Sequence, residues 1–225
     1  MKVLAIIGSM RRDKSLSNKV IFSLLKDKYW ENWEKKVISM DELNILMCQG
    51  CCSCFASGKC LLKDDMNMVK EEIISSDVII ISSPVFLHHV PGSLKNLIDR
   101  ISYWTHIFEL LNKRVILCAA TATTGCDYVL AYLKKAFSAM GAYIVEEINV
   151  DIHTSEEDLC KISKNVIEKL QRSYLEKSMN VSFYQEQLFQ SLKEIYMQKN
   201  SYESSIWKCR GYFLCENFAE LQNRL

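Results

Sequence analysis

Residues 78–100 read VIIISSPVFLHHVPGSLKNLIDR, and this stretch predicts one strand, one loop and one helix in succession. The apolar run at 78–82 has the length of a buried strand, whereas apolar side chains recur at helical spacing from Leu94 onward. Both prolines of the chain, Pro84 and Pro91, lie in the loop between them. A rigid apolar loop that follows a strand in this way can form a wall for a planar ring system.

The same alternation of strand and helix extends over the first 150 residues. Apolar runs predict strands at 3–7, 36–39, 78–82, 115–119 and 143–150. Helical spacing predicts helices at 18–29, 66–75, 94–103 and 128–140, and Gly141 follows the last of them as a C-terminal cap. This order is typical of a doubly wound α/β fold, in which a five-stranded parallel sheet is covered by helices on both faces.

The composition changes after residue 150. Two long amphipathic stretches at 156–175 and 183–199 predict helices rather than strands. The end of the chain is rich in aromatic residues, namely Tyr202, Trp207, Tyr212, Phe213 and Phe218. We therefore expect a ligand-binding α/β domain at 1–150 and a helical extension at 151–225. The extension either packs on its own core or covers a neighbouring subunit, and the sequence favours the subunit contact.

The composition also limits the class of protein. The 225 residues are 49% hydrophobic, with 28 basic and 27 acidic side chains and a net charge of +1. A balanced charge argues against nucleic acid or an anionic membrane as partner, so we expect small molecules or proteins. No apolar run reaches the length of a signal peptide core or a membrane span, which predicts a cytoplasmic protein. In that compartment the ten cysteines are expected to be ligands or core residues rather than disulfides.

Three loops follow strands one, three and four, where ligands bind in sheets of this kind. The first contains Ser9, Arg11, Ser15 and Ser17 and leads into a helix, which favours a phosphate at the helix N-terminus. It has neither the GxxxxGK[ST] nor the GxGxxG pattern, so a phosphate monoester fits better than a nucleoside triphosphate or a dinucleotide. The alternative interpretation is an ordinary helix start capped by serine.

The other two loops are expected to face the same crevice. Pro84, Val85, Phe86, Leu87 and His88 follow strand three, and the polar residues Thr121, Thr123, Thr124 and Gly125 follow strand four. The pair His88 and His89 invites an acid–base role, but histidines in an apolar loop are more often positional.

The cysteine-rich loop at 48–60 carries the most specific pattern of the chain. Its spacing is C-x2-C-x2-C-x5-C, formed by Cys48, Cys51, Cys54 and Cys60. Thiolates are the ligands that zinc and iron–sulfur clusters select, and this compact spacing favours a [4Fe–4S] cluster over a zinc ribbon. Two alternatives stay open: the thiols are small buried hydrophobic groups, or they line a substrate pocket without a metal.

Taken in order, these motifs resemble the NAD(P)H-dependent FMN reductase group of flavodoxin-like proteins, and within it the iron–sulfur flavoproteins. The resemblance covers residues 1–150 and rests on the cysteine segment, on SSPVFLHHVPGSLKNLIDR at 82–100, and on the GSMR start of the first loop. It implies a flavodoxin-like fold, bound FMN, a [4Fe–4S] cluster beside the flavin, and a homodimer or homotetramer. By position, Ser9, Arg11, Ser15 and Ser17 would hold the FMN phosphate. The segment 84–88 would meet the isoalloxazine, and the residues after strand four would complete the pocket.

The sequence departs from the family pattern at three positions. Met10 replaces a frequent proline, Phe86 replaces the usual tyrosine, and Cys52 is a thiol that the pattern does not need. The loss of the tyrosine removes a ring hydroxyl from the site. The extra cysteine leaves the ligand at 51 or 52 open, although only Cys51 preserves the spacing.

Three functions remain at this stage. The leading one is an FMN-dependent oxidoreductase that transfers electrons between FMN, a [4Fe–4S] cluster and an external carrier or small-molecule acceptor. The second is a cluster-free reductase of flavin or quinone that uses NAD(P)H. The third is a non-catalytic electron carrier or sensor.

Overall fold

A computed structural model describes residues 1–11, 15–175 and 181–224. It contains one sheet of five parallel strands with the order β2-β1-β3-β4-β5. The strands are β1 (Lys2–Ile7), β2 (Glu34–Ser39), β3 (Val78–Pro84), β4 (Arg114–Ala120) and β5 (Tyr143–Val150). The predicted doubly wound, flavodoxin-like sheet is thus confirmed. Because the strand order reverses at β1, a crevice for a ligand opens at the carboxyl ends of β1 and β3.

Helices cover both faces of the sheet. Their bounds are α1 (Leu16–Leu25), α2 (Ser53–Ser57), α3 (Met66–Ser75), α4 (Gly92–Arg100), α5 (Cys126–Ala139), α6 (Glu156–Leu175), α7 (Phe183–Gln198), α8 (Tyr202–Cys209) and α9 (Phe218–Arg224). The helix predicted at 18–29 begins two residues earlier, since Ser15 caps it, and ends at Leu25. The five-residue helix α2 was not predicted.

The buried side chains form two cores, one on each face of the sheet. Leu4, Ile79 and Leu117 of the strands pack with α3, α4 and α5 on one face. Val3, Ile80 and Ile116 pack with α1 and α6 on the other face. Successive side chains along a strand point to opposite faces, which is why the central strands β1, β3 and β4 carry apolar side chains on both faces. Helix α6 therefore covers the sheet beside α1.

The helices α7, α8 and α9 build a third cluster of buried side chains. Phe189, Trp207, Tyr212 and Phe218 are fully buried in it, together with Phe108 from the segment before β4. The Trp207 ring stacks on Phe189 with centroids 5.4 Å apart. The aromatic residues of the extension are thus buried mainly against their own chain. In the part of the chain that the structure describes, no helix is long and apolar enough to cross a membrane.

Candidate functional site

The loops after β1, β3 and β4 meet at the carboxyl edge of the sheet. The N–H of Gly8 donates to the carbonyl of Ser82 at 2.7 Å, which ties the first loop to β3. A Cβ at position 8 would lie 2.8 Å from Leu94 Cδ2, so the absence of a side chain lets the loop approach α4 closely. The N–H of Val85 donates to the carbonyl of Ala120 at 3.0 Å and joins the second loop to β4 in the same way.

The first loop presents buried hydroxyl groups at the N-terminus of α1. Ser15 caps the helix, since its Oγ accepts from the N–H of Asn18 at 3.2 Å, and the Oγ of Ser9 accepts from the N–H of Arg11. The Oγ of Ser17 is buried without a hydrogen-bond partner among the described residues. A buried hydroxyl that lacks a partner costs stability, so this atom fits a bound polar ligand such as a phosphate. Residues 12–14 of this predicted phosphate loop lie outside the described residues.

The second loop contains a strained two-residue turn. The N–H of Phe86 donates to the carbonyl of His89 at 2.8 Å, and the N–H of His89 donates back to Phe86 at 3.0 Å. Between them Leu87 and His88 have φ angles of +47° and +61°, a region that costs a residue with a side chain about 1–3 kcal/mol. The side chain of Leu87 is 95% exposed, and Phe86 is exposed beside it. The turn that was predicted to meet a planar ring thus offers it strained backbone and uncovered apolar side chains.

The third loop closes on this turn. Gly125 has a φ of +94°, and a Cβ there would lie 2.6 Å from His88 Nδ1 and 3.1 Å from Val85 Cγ1. Only glycine lets the two loops meet this closely. The loop is also ordered internally, because Thr121 Oγ1 donates to the carbonyl of Thr124 and accepts from the N–H of Thr123.

A cavity of about 300 Å³ opens at the third loop. The side chains that line it come from the ends of β4 and β5 and the start of α5: Thr121, Thr123, Thr124, Gly125, Cys126, Asp127, Asn149 and Asp151. The sequence interpretation missed Asp127, Asn149 and Asp151. Since β5 runs parallel to β4, its carboxyl end had to reach the same edge, and the predicted parallel sheet already implied this.

The residues of the three loops fit FMN. A phosphate ester suits the buried serines at the start of α1, and a planar ring suits the strained apolar turn at 84–88. The His88 ring packs edge-on against Tyr128 with ring centroids 5.3 Å apart, and the ring centroids of His89 and Tyr132 are 4.4 Å apart. Both tyrosines belong to α5. These contacts give both imidazoles a role in packing the site.

The cysteine loop is bound to α4, the helix that follows the flavin turn. Asn96 Oδ1 accepts from the N–H of Cys48 at 3.1 Å, and Asn96 Nδ2 donates to the carbonyls of Ile45 and Leu46. Arg100 Nη1 donates to the same Leu46 carbonyl at 2.6 Å. One face of α4 therefore holds the start of the cysteine loop next to the predicted flavin site.

A buried ion pair anchors the other end of this loop. Arg100 donates to Asp64 through both terminal nitrogens, at 2.6 and 3.1 Å, and each side chain is 1% exposed. Burial alone would raise the pKa of Asp64, but hydrogen bonds from Arg100 and from the backbone of Leu46 and Met66 hold that pKa below its usual value. Lys70 is buried nearby, 5.0 Å from the centre of the Tyr103 ring, and burial lowers the pKa of its ammonium group.

All ten cysteines are free. Cys48, Cys51 and Cys52 are exposed, whereas Cys54 and Cys60 are half-buried. Burial raises the pKa of the Cys54 thiol. Within residues 1–11, 15–175 and 181–224, no three His, Cys, Asp or Glu side chains gather closely enough to hold one metal ion.

The donor set fits a cluster in its chemistry. It supplies four free thiols on one loop, and Arg100 and Lys70 place positive charge beside Cys60. The ligands of a cubane each bind a different iron, so they need not converge on one point as the ligands of a single ion do. The assignment of Cys48, Cys51, Cys54 and Cys60 as ligands stays a prediction.

Comparisons with known proteins agree with this geometry. The family model described as NADPH-dependent FMN reductase matches residues 1–157. A relative from Archaeoglobus fulgidus, named iron-sulfur flavoprotein, is 28% identical over 224 residues, which cover 94% of this chain and 100% of the relative. The solved structure of RosB with bound 8-demethyl-8-formylriboflavin-5'-phosphate superposes with a TM-score of 0.62 at 13% identity, over 89% of this chain and 88% of RosB. The apo form of the NADH:FMN oxidoreductase EMOB superposes with a TM-score of 0.57 at 18% identity, over 76% of this chain and 89% of EMOB. At these identities the two structures bear on the fold alone.

Proposed function

We propose that this chain, which belongs to the NADPH-dependent FMN reductase family and is an FMN-dependent oxidoreductase, transfers electrons between FMN, a [4Fe–4S] cluster and an external carrier or small-molecule acceptor. The observation that carries the proposal is the attachment of the four-cysteine loop to α4. The same helix follows the flavin turn directly, so the two redox groups would be neighbours. The name of the Archaeoglobus fulgidus relative, which is similar along nearly the whole chain, supports the same conclusion.

The first loop would bind the FMN phosphate. Ser9, Ser15 and Ser17 are buried at the N-terminus of α1, where backbone N–H groups and the helix dipole favour an anion. The unpaired Oγ of Ser17 would gain a hydrogen-bond partner, and Arg11 would add a charge-assisted bond. Binding at these atoms would fix the position of the ring relative to the turn at 84–88.

The second and third loops would orient the ring and exclude water from one of its sides. Val85 and His88 are held against Gly125, and Phe86 and Leu87 leave apolar surface free for a planar group. Bound FMN supplies hydride and single-electron chemistry. NAD(P)H is the proposed electron donor, as the name of the family suggests.

The cysteine loop would hold the cluster through Cys48, Cys51, Cys54 and Cys60. A [4Fe–4S] cluster supplies one-electron transfer to a protein carrier. Lys70 and Arg100 would offset the negative charge of the thiolates on the Cys54 and Cys60 side. Cys52 is the N-cap residue before α2, with a φ of +58°, and would not be needed as a ligand.

We also propose that the protein is cytoplasmic and forms a homodimer or homotetramer. The ten free thiols support a reducing compartment. Exposed Met47, Phe86 and Leu87 near the site support an assembly, because large uncovered apolar side chains are often buried between subunits. We propose no contact with nucleic acid or membrane.

The second candidate is a cluster-free NAD(P)H-dependent reductase of flavin or quinone. It is favoured by one observation, namely that no three potential ligands gather among the described residues. Anaerobic absorption spectra before and after addition of NADPH or NADH test both candidates. The leading proposal predicts flavin bands over a broad iron–sulfur absorption and bleaching of both by the donor. Flavin bands alone, bleached by the donor, would identify the second candidate, and no bleaching by either nucleotide would remove NAD(P)H as donor.

A further inference from the structure

The helix inside the cysteine loop is enclosed by the core on one side and by the C-terminal extension on the other. The ring of Phe55 on α2 lies edge-on to the rings of His106 and Tyr103, with centroids 4.8 Å and 6.3 Å away. Cys54 and Phe55 pack against the same core cluster as Ile206, which belongs to α8. Because α2 has only five residues, it cannot be stable by itself and depends on these neighbours.

Gly58 sets the path from Cys54 to Cys60. It ends α2 with a φ of +72°, and its N–H donates to the carbonyl of Cys54 at 2.9 Å. This left-handed cap reverses the chain direction between Cys54 and Cys60. The relative position of these two thiols therefore depends on the turn at Gly58.

Tyr202, the first residue of α8, lies directly on that turn. A Cβ at position 58 would be 2.2 Å from the Tyr202 hydroxyl oxygen and 2.6 Å from its Cζ, so the ring tip occupies the space that a side chain would need. The ring is placed by a capped helix, since Ser201 and Ser204 form a reciprocal capping box at the start of α8.

The helix that carries Tyr202 is itself fixed to the core. Trp207 is fully buried and its Nε1 donates to the carbonyl of His106 at 2.7 Å. His106 Nδ1 also lies 2.8 Å from the hydroxyl of Tyr196 on α7. The same residue, His106, thus contacts both α2 and the extension.

We propose that Tyr202 is a positioning residue, through which the C-terminal extension holds the Gly58 turn and with it the pair Cys54 and Cys60. The first half of the loop has a different support, since Asn96 on α4 holds the backbone of Cys48. The role of this pair as cluster ligands rests on the proposed function. The order of the turn itself does not, and it can be measured in the absence of iron.

Hydrogen exchange of the full chain with FMN bound and iron removed tests the proposal in Tyr202→Ala. The amide groups of Phe55, Ala56 and Gly58, which are bonded inside α2, should exchange about tenfold faster, equivalent to about 1.4 kcal/mol of local opening free energy. The amide of Cys48 should be unchanged. The matched control is Tyr184→Ala on α7, a half-exposed tyrosine whose ring lies over Lys135, and it should leave both halves of the loop unchanged.

Two further measurements separate the possible outcomes. Tyr202→Phe keeps the ring and should retain the exchange rates of the wild type. If the tryptophan emission of Tyr202→Ala shows that Trp207 is no longer buried, Tyr202→Leu is used in its place. After reconstitution with iron and sulfide, Tyr202→Ala should retain less iron than wild type at equal FMN content. Unchanged exchange at 55–58 in the folded variant would overturn the proposal. Faster exchange in a protein whose wild type takes up no iron would support the positioning role and reject the cluster.

Discussion

Replacing Asp64 by asparagine should destabilise the fold more than any change to a surface ion pair. Asp64 Oδ2 accepts from Arg100 Nη1 at 2.6 Å and from the N–H of Leu46 at 2.9 Å, and Oδ1 accepts from Arg100 Nη2 and from the N–H of Met66 at 3.1 Å each. Asparagine keeps one acceptor oxygen and turns an amide NH₂ toward the other donors. It also leaves the buried guanidinium without a counter-charge.

The loss of one partner from a buried ion pair costs about 3–5 kcal/mol. Both side chains are 1% exposed, so solvent screening does not reduce this value. For a chain of this size, 1 kcal/mol corresponds to about 2–4 °C in Tm, which predicts a decrease of roughly 6–20 °C. The matched control is Asp99→Asn, which removes a half-exposed pair with Lys95 within α4 and should cost about 0.5 kcal/mol or less.

Thermal unfolding followed by circular dichroism measures both variants at neutral pH. The reasoning would be refuted if Asp64→Asn lowered Tm by no more than Asp99→Asn does. A second check is the pair of changes Asp64→Leu and Arg100→Met together, which removes both buried charges and should be less destabilising than Asp64→Asn.

Four other changes test the site and its surroundings. Arg11→Ala should weaken FMN retention by roughly 10- to 150-fold, because a charge-assisted hydrogen bond contributes about 1.5–3 kcal/mol; unchanged affinity in a flavin titration would remove Arg11 from the site. Cys54→Ser should lower the iron content at full FMN occupancy whereas Cys52→Ser should not, and equal iron in both variants would contradict the ligand assignment. Deletion from residue 178 onward should reduce solubility or the oligomeric state while leaving a folded α/β core, and an equally soluble fragment of unchanged assembly would contradict this. Burial lowers the pKa of His106, although Glu203 opposes the shift, so as pH falls the imidazole is protonated in the unfolded chain before it is protonated in the folded protein. The stability that neutral His106 contributes is therefore intact above about pH 6.5 and is lost as pH falls through the folded pKa. His106→Gln should flatten the change in urea midpoint between about pH 7.5 and 5.5.

The alternation of apolar runs was enough to predict the sheet and the edge at which its loops meet. The central strands β1, β3 and β4 are buried on both faces, so each of them contains an apolar run, whereas the edge strands β2 and β5 are partly exposed and carry charged residues. Parallel strands bring their carboxyl ends to one edge, which is why Ser17, Val85 and Gly125 could be assigned to one site before their contacts were known.

Other features depend on contacts between distant segments, and the sequence contains no local signal for them. Helix α2 is too short to show a period, and it exists where Phe55 meets His106 and where Tyr202 covers Gly58. The aromatic tail was expected to pack on its own core or to cover a neighbouring subunit, with the subunit contact favoured, and its composition does not identify the surface that it covers. The structure buries Trp207 and Phe218 within the chain, where they pack against Phe108 from the segment before β4.

The most direct test of the central claim is the amount of flavin, iron and acid-labile sulfide per chain after anaerobic purification. We expect about one FMN together with about four iron and four sulfide atoms per chain. Full FMN without iron would contradict the cluster and leave a plain FMN reductase, and a protein that retains neither flavin nor iron and cannot be loaded with FMN would contradict the account as a whole.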